Sequence, residues 1–167
     1  KLKSPVGKGG TTLDALKKKY DAVLLAVGAQ NSLKLNVPGE DAAKGVISAL
    51  PFLKDVNAGK KVAVGKKVVV VGGGSVAMDA ATTALRLGAG SVQVVCLEGS
   101  LDEMPALNEE VEQAQEEGIK VDMSWGIKQV LASAGKVSGV ELKRCTSCYD
   151  KSGKFNPCYD TKKTKKL

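Results

Sequence analysis

The chain of 167 residues has no histidine, and its aromatic residues are one Trp, three Tyr and two Phe. The commonest general acid–base side chain is therefore missing. With so few rings, the core must be built from Val, Leu, Ile and Ala. Valine-rich runs of this kind are typical of buried parallel strands.

The sequence also lacks an apolar run of the ~18 residues that a membrane-spanning helix needs. Its first residues, Lys1 to Pro5, contain no apolar core of a signal peptide. We therefore expect a cytoplasmic protein with no membrane partner, whose four cysteines stay reduced.

The formal net charge of +7 comes largely from lysines in loops and near the C-terminus. Aromatic residues that could stack on bases are not interleaved with them. We therefore expect a solvated basic surface that assists an anionic cofactor or docks an acidic partner, rather than a nucleic-acid site.

Apolar and amphipathic segments alternate along most of the chain. The first part predicts a helix at 12–19, a buried strand at 21–27, a Pro-Gly turn at 37–41 and a helix at 48–56. Strands at 67–71, 91–97 and 119–125 then alternate with helices at 75–88 and 108–117, which indicates a parallel sheet. A hairpin of 127–131 with 137–144 follows, and the polar segment 149–167 has weak strand character at best.

Glycines stand where the first of these parallel strands meets its helix. The sequence Gly72-Gly73-Gly74-Ser75-Val76-Ala77 directly follows the strand. Gly72 allows a sharp turn, Gly74 a close approach of the backbone to a pyrophosphate, and Ala77 close packing of helix on strand. The helix start, Ser75 and Val76, presents free N–H groups to phosphates.

Glu98 ends the second strand of this unit, where a carboxylate can accept hydrogen bonds from a ribose 2′-hydroxyl. A 2′-phosphate would meet a like charge there. The combination predicts a site for NAD(H), with NADP(H) as the alternative. The competing interpretation is an ordinary strand–helix turn and a solvated strand end.

Four segments occur in an order that resembles one family, the glutamate synthase small (beta) subunit and its relatives. They are Tyr20–Ala29, Val37–Asp41, Gly72–Ala81 and Glu103–Ala106. The resemblance implies an α/β fold: a Rossmann-like parallel sheet with an antiparallel meander or hairpin, forming the NAD(P)-binding domain of a flavoprotein with two dinucleotide-binding domains.

The resemblance further implies that nicotinamide gives hydride to FAD and that electrons pass on to an iron–sulfur module or partner subunit. Gly28 is then expected near the flavin. Met104 is expected in a loop on the nicotinamide side, although it could equally be a packing residue. Asp79 is a possible polar contact, or a plain surface carboxylate. No catalytic acid–base residue is assigned.

The chain departs from this family in two ways. Family members specific for NADPH carry paired arginines where this chain has Cys96-Leu97-Glu98, and a second glycine fingerprint for FAD is missing. We therefore expect FAD only in the full-length protein, and an isolated portion that is inactive. The predicted domains are 1–57, part of an FAD domain, and 60–167, the NAD(P)-binding domain without its last strand.

Strand 21–27 is expected to fill the vacant sheet position, in the same chain or in a swapped homodimer. Cys145 and Cys148, with Cys158 nearby, predict unliganded thiols; a zinc site or a disulfide is the alternative. Besides the flavin-linked oxidoreductase, two other functions stay open. One is a non-catalytic dinucleotide-binding module, and the other is a basic interaction domain.

Overall fold

The computed structural model describes residues 4–167, which divide into two compact units. The first unit ends at Gln30 and contains one helix, α1 (Leu13–Lys19). The amide of Ala15 donates to the Thr12 hydroxyl at 3.1 Å, which caps the helix as expected. Three lysines occupy the last turn, where the helix dipole favours cations.

The predicted buried strand at 21–27 is wrong. Residues 23–30 have no regular secondary structure, and the side chains of Leu24, Leu25 and Val27 are 91, 63 and 76% exposed. A strand needs a hydrogen-bonded neighbour, and the described residues of this unit offer none. The idea that this segment completes a sheet within the chain fails with it; the swapped homodimer stays a prediction.

The second unit, Asn31–Leu167, contains a parallel sheet with a helical layer. The sheet has the order β1-β2-β3, with every pairing parallel. The strands and helices of these two layers are, in chain order, α2 (Ala49–Asn57), β1 (Lys67–Val71), α3 (Ser75–Arg86), β2 (Ser91–Val95), α4 (Asn108–Glu116) and β3 (Lys120–Asp122). The predicted Rossmann-like α/β fold is confirmed, because alternating strands and helices form one parallel sheet.

Both faces of this sheet are buried. On β2, Val92 and Val94 belong to the core on the helix side, while Val95 belongs to the core on the opposite side. The helix-side core contains the small residues of α3 and also Phe52 of α2. The assignment of α2 to a different domain from α3 stays a prediction.

An antiparallel sheet provides the opposite layer. It consists of β4 (Trp125–Ser133), β5 (Lys136–Tyr149) and β6 (Phe155–Lys166), in that order. The predicted hairpin is thereby confirmed as β4 and β5. Ile127, Val140 and Leu142 point from it to Val95 and close the second core.

Strand β6 corrects the prediction of weak strand character after residue 149. Asp150 builds the turn before it by accepting hydrogen bonds from the Ser152 hydroxyl and from the amides of Ser152 and Lys154, and these bonds lower the pKa of Asp150. Lysines of this strand then pair with acidic side chains, since Lys165 donates to Asp122 at 2.5 Å. The tertiary structure thus satisfies charges that disfavour a strand in isolation.

The predicted Pro-Gly turn forms and lies against the β4–β5 hairpin. The amide of Val130 donates to the Pro38 carbonyl at 2.9 Å, and the amide of Val137 donates to the Lys44 carbonyl at the same distance. Gly39 has φ +85°, and a Cβ there would collide with the carbonyl oxygen of Val130. Only glycine fits this contact.

We expect Gly39→Ala to lower the free energy of unfolding by about 2–4 kcal/mol, because strain and collision add. The matched control is Gly59→Ala, since Gly59 has φ +72° and nothing within 4 Å of the added methyl group. That variant should cost only ~1 kcal/mol from the left-handed backbone. Urea denaturation of both variants measures the difference, and equal losses would contradict a collision at Gly39.

Candidate functional site

The glycine bend joins β1 to α3 at the carboxyl end of the parallel sheet. Gly72 has φ +131°, which favours glycine, and its amide donates to the Val95 carbonyl at 2.9 Å. A Cβ on Gly72 would lie 3.7 Å from the Cβ of Ala77. The small residue expected at position 77 therefore packs directly against the turn, as the motif requires.

The helix start behind the bend offers free hydrogen-bond donors. Gly74 is the N-cap of α3 and provides no side-chain cap. Among the described residues, the amides of Gly73, Gly74, Ser75 and Val76 donate no backbone hydrogen bond. Ser75 is half-buried and Val76 exposed, so this end of the twelve-residue helix faces open space. Unpaired N–H groups and the helix dipole make it an anion-binding position.

Glu98 lies beside this bend and is only 7% exposed. Its Oε2 atom is buried and has no hydrogen-bond partner among the described residues. A Cβ built on Gly73 would lie 2.5 Å from that oxygen, so the carboxylate rests against the Gly73 backbone. An unsatisfied buried carboxylate oxygen is costly, and the arrangement fits a ligand that donates a hydrogen bond to it.

The Glu98 backbone is fixed from the antiparallel side. The amide of Ser124 donates to the Glu98 carbonyl at 2.7 Å, and the amide of Trp125 donates to the Cys96 carbonyl at 2.8 Å. These bonds tie the chain just after β2 to Ser124, which links β3 to β4, and to the first residue of β4. The main chain at Glu98 is therefore anchored although it lies beyond the end of the strand.

The loop that contains Met104 also supports the bend. The amide of Ala106 donates to the Gly73 carbonyl at 3.0 Å. The Met104 side chain is buried in the helix-side core, and Glu103 accepts from the Gly99 amide at 2.8 Å. The structure thus gives the Met104 side chain a packing role, and a cofactor contact by this residue stays a prediction.

Asp79 and Gly28 are two further cofactor contacts predicted from the sequence. Asp79 is exposed on α3 and lines a shallow groove with Thr82, Arg86 and Glu110. Gly28 belongs to the first unit and has φ +68°. Sequence reasoning missed the Gly73–Glu98 contact and the Ala106 hydrogen bond, because neither depends on spacing along the chain.

Two of the four cysteines lie together beside the segment that follows β2. Cys145 and Cys148 line a cavity of about 280 Å³ with Glu103, Ser124 and Tyr149. Burial, followed by the neighbouring Cys145 thiol, raises the pKa of Cys148 to about 12. All four cysteines are free thiols, and the described part of the chain contains no group of three or more metal-binding side chains.

In residues 4–167, no helix combines the length and the apolarity needed to cross a bilayer. The fold and the site define a dinucleotide-binding α/β unit with a Rossmann-like sheet. Comparison with known proteins supports this class and identifies the family.

Residues 5–150 match the pyridine nucleotide-disulphide oxidoreductases, and the chain belongs to this family of enzymes. It is 41% identical over 136 residues to the NADPH-Fe(3+) oxidoreductase subunit beta of Geobacter sulfurreducens, covering 80% of this chain and 20% of that protein. It is 38% identical over 160 residues to the glutamate synthase [NADPH] small chain of Escherichia coli, covering 86% of this chain and 32% of that protein. The resemblance to the glutamate synthase small subunit is thus confirmed.

The fold is also found in FprA of Mycobacterium tuberculosis, solved in complex with NADPH. The TM-score is 0.71 at 20% identity, covering 98% of this chain and 51% of that chain. The chain spans 20 to 32% of the length of the two curated relatives described above.

The structure predicts a single fast-reacting thiol. Cys158 is exposed, whereas Cys145 is buried and the pKa values of Cys96 and Cys148 are raised to about 12, so these two remain protonated at pH 8. Reaction with a disulfide reagent at pH 8 should show one rapid equivalent in the native protein and four after denaturation. Cys158→Ser should abolish the rapid phase; a fast thiol mapped to Cys96 or Cys148 would contradict the analysis.

Proposed function

We propose that this chain binds NAD(H) at the glycine bend, as the nucleotide-binding portion of a flavin-dependent oxidoreductase. In the complete reaction, hydride passes from the nicotinamide to FAD, and electrons continue to an iron–sulfur module or partner subunit. The observation that carries the binding site is the buried, unpartnered Oε2 of Glu98, which lies against a bend with four free amides.

The amides of residues 73–76 would hold the pyrophosphate. They belong to consecutive residues at a helix N-terminus, and Gly74 has open space where a Cβ would be. A diphosphate can approach that backbone without meeting a side chain, and the helix dipole stabilises its charge. Ser75 adds a hydroxyl next to the same amides.

Glu98 would hold the adenosine ribose. A carboxylate accepts hydrogen bonds and cannot donate them, so two ribose hydroxyls match it and a phosphate does not. Several relatives are named for NADP(H), including the NADP(+)-dependent formate dehydrogenase subunit beta of Moorella thermoacetica. Our preference for NAD(H) therefore rests on this chain's own carboxylate.

The chemistry of hydride transfer resides in the cofactors, which agrees with a chain that contains no histidine. The residues of this unit bind and orient the dinucleotide. The bend holds the diphosphate, and Glu98 holds the sugar at one end, so the remainder of the dinucleotide extends from the sheet edge. Asp79, exposed on α3, and the loop that contains Met104 are proposed as lesser contacts.

The flavin and the partner are proposed from the relatives. The matched family is named for pyridine nucleotides and oxidoreduction, and several relatives are named as subunits or small chains. We propose that Gly28 contributes to the flavin side and residues 60–167 to the nucleotide side. A subunit that accepts electrons is the expected partner.

Glu98→Gln should weaken NADH binding about ten-fold or more, because a hydrogen bond to a charged group is lost, and should strengthen NADPH binding, because the like charge facing the 2′-phosphate is removed. Glu98→Arg should reverse the preference, since a guanidinium pairs with the 2′-phosphate. Titration of both cofactors by nicotinamide fluorescence measures the two dissociation constants. Equal affinities in the parent protein, unchanged by either substitution, would refute the role of Glu98.

The flavin proposal has its own test. The full-length protein, supplied with FAD, should show flavin absorbance that is bleached by NADH without oxygen and restored by an electron acceptor, whereas the isolated chain should bind NADH without flavin. NADH binding by a full-length protein that takes up no flavin would favour a non-catalytic binding module instead. Binding to random DNA that weakens steeply with salt, without any dinucleotide binding, would favour a basic interaction domain.

A further inference from the structure

Gly73, which is distant in sequence, and the nearby Cys96 meet at the Glu98 carboxylate. A Cβ on Gly73 would lie 2.5 Å from Oε2 of Glu98, 3.0 Å from its Cδ and 3.2 Å from the Cβ of Cys96. Gly73 occupies the variable position of the glycine motif, between the turn at Gly72 and the close approach at Gly74. Its lack of a side chain is therefore required by Glu98 and not by a phosphate.

We propose that Gly73 and Cys96 are positioning residues that hold the Glu98 carboxylate toward the ribose and so determine the preference for a 2′-hydroxyl over a 2′-phosphate. The inference rests on the proposed function and deepens it. Gly73 leaves room for the Glu98 carboxylate, and the Cys96 side chain packs beside that carboxylate.

The backbone of Gly73 is itself fixed. Its carbonyl accepts from the Ala106 amide at 3.0 Å, and the adjacent Gly72 amide donates to Val95 at 2.9 Å. A methyl group added at Gly73 therefore cannot escape by moving the main chain, and the carboxylate must move instead. An ordinary contact at a Cβ is 3.4–4 Å, so the oxygen must shift by about 1 Å or leave the position.

Cys96 is suited to its role because it stays a neutral thiol. It is 2% exposed, and burial together with the charge of Glu98 raises its pKa to about 12. A protonated thiol next to a carboxylate is a weak donor, whereas a thiolate would repel it. The thiol can therefore steady Glu98 throughout the range in which NADH is bound.

The test compares Gly73→Ala with the matched control Gly74→Ala in the purified protein. Gly73→Ala should weaken NADH binding about ten-fold and leave NADPH binding nearly unchanged, because the carboxylate is displaced. Gly74→Ala adds the same methyl group in open space beside the pyrophosphate. It should weaken both cofactors by the same factor and leave their ratio unchanged.

A double variant shows whether Gly73 acts through Glu98. Adding Gly73→Ala to Glu98→Gln should change the NADH affinity less than two-fold, well below the loss in the parent background. Equal losses for NADH and NADPH, or a full loss that persists in the Glu98→Gln background, would overturn the inference. If Glu98→Gln changes neither affinity, the proposed function fails instead, so the two failures are distinguishable.

Thermal unfolding shows whether Gly73→Ala folds. If it does not, variants at Cys96 test the positioning of Glu98 instead. Cys96→Val removes the donor and should lower the ratio of NADH to NADPH affinity about three-fold, while Cys96→Ser keeps a donor and should restore it. The same ratio in both variants would contradict a positioning role for the thiol.

Discussion

The site depends on the burial of both faces of one short strand. In β2, Val92 and Val94 pack into the helix-side core against α3, while Val95 packs against the antiparallel sheet. Hydrophobic burial on both sides leaves the strand no freedom to change register, since a slip of one residue would exchange its two faces. The positions of the residues after Val95, including Cys96 and Glu98, are therefore fixed at the carboxyl end of the sheet.

That fixed place explains how Oε2 of a buried carboxylate can be tolerated without a partner among the described residues. Glu98 is held by backbone hydrogen bonds from the antiparallel side and rests against Gly73 on the other. The free-energy cost of the unsatisfied oxygen is offset by the packing of the two cores. Functional sites commonly retain such local costs, because the missing hydrogen bond comes from the ligand.

Much of the fold could be predicted from sequence because local and tertiary preferences agree there. The valine run of β1, the glycine bend and the amphipathic α3 each have one dominant interpretation. The prediction failed at 21–27, where an apolar run has no neighbouring strand, and at β6, where a lysine-rich run pairs with the long edge of β5. Pairing partners decide whether such segments become strands, and partners are not visible in local sequence.

The sequence by itself determined the strand–glycine–helix order and the placement of an acidic residue after the second strand, because these follow from spacing and backbone conformation. Only the tertiary structure decided that Glu98 is buried with its Oε2 unpaired among the described residues, that Gly73 gives it room, and that Met104 belongs to the core. These properties arise where segments separated by more than twenty residues meet, and packing alone brings them together.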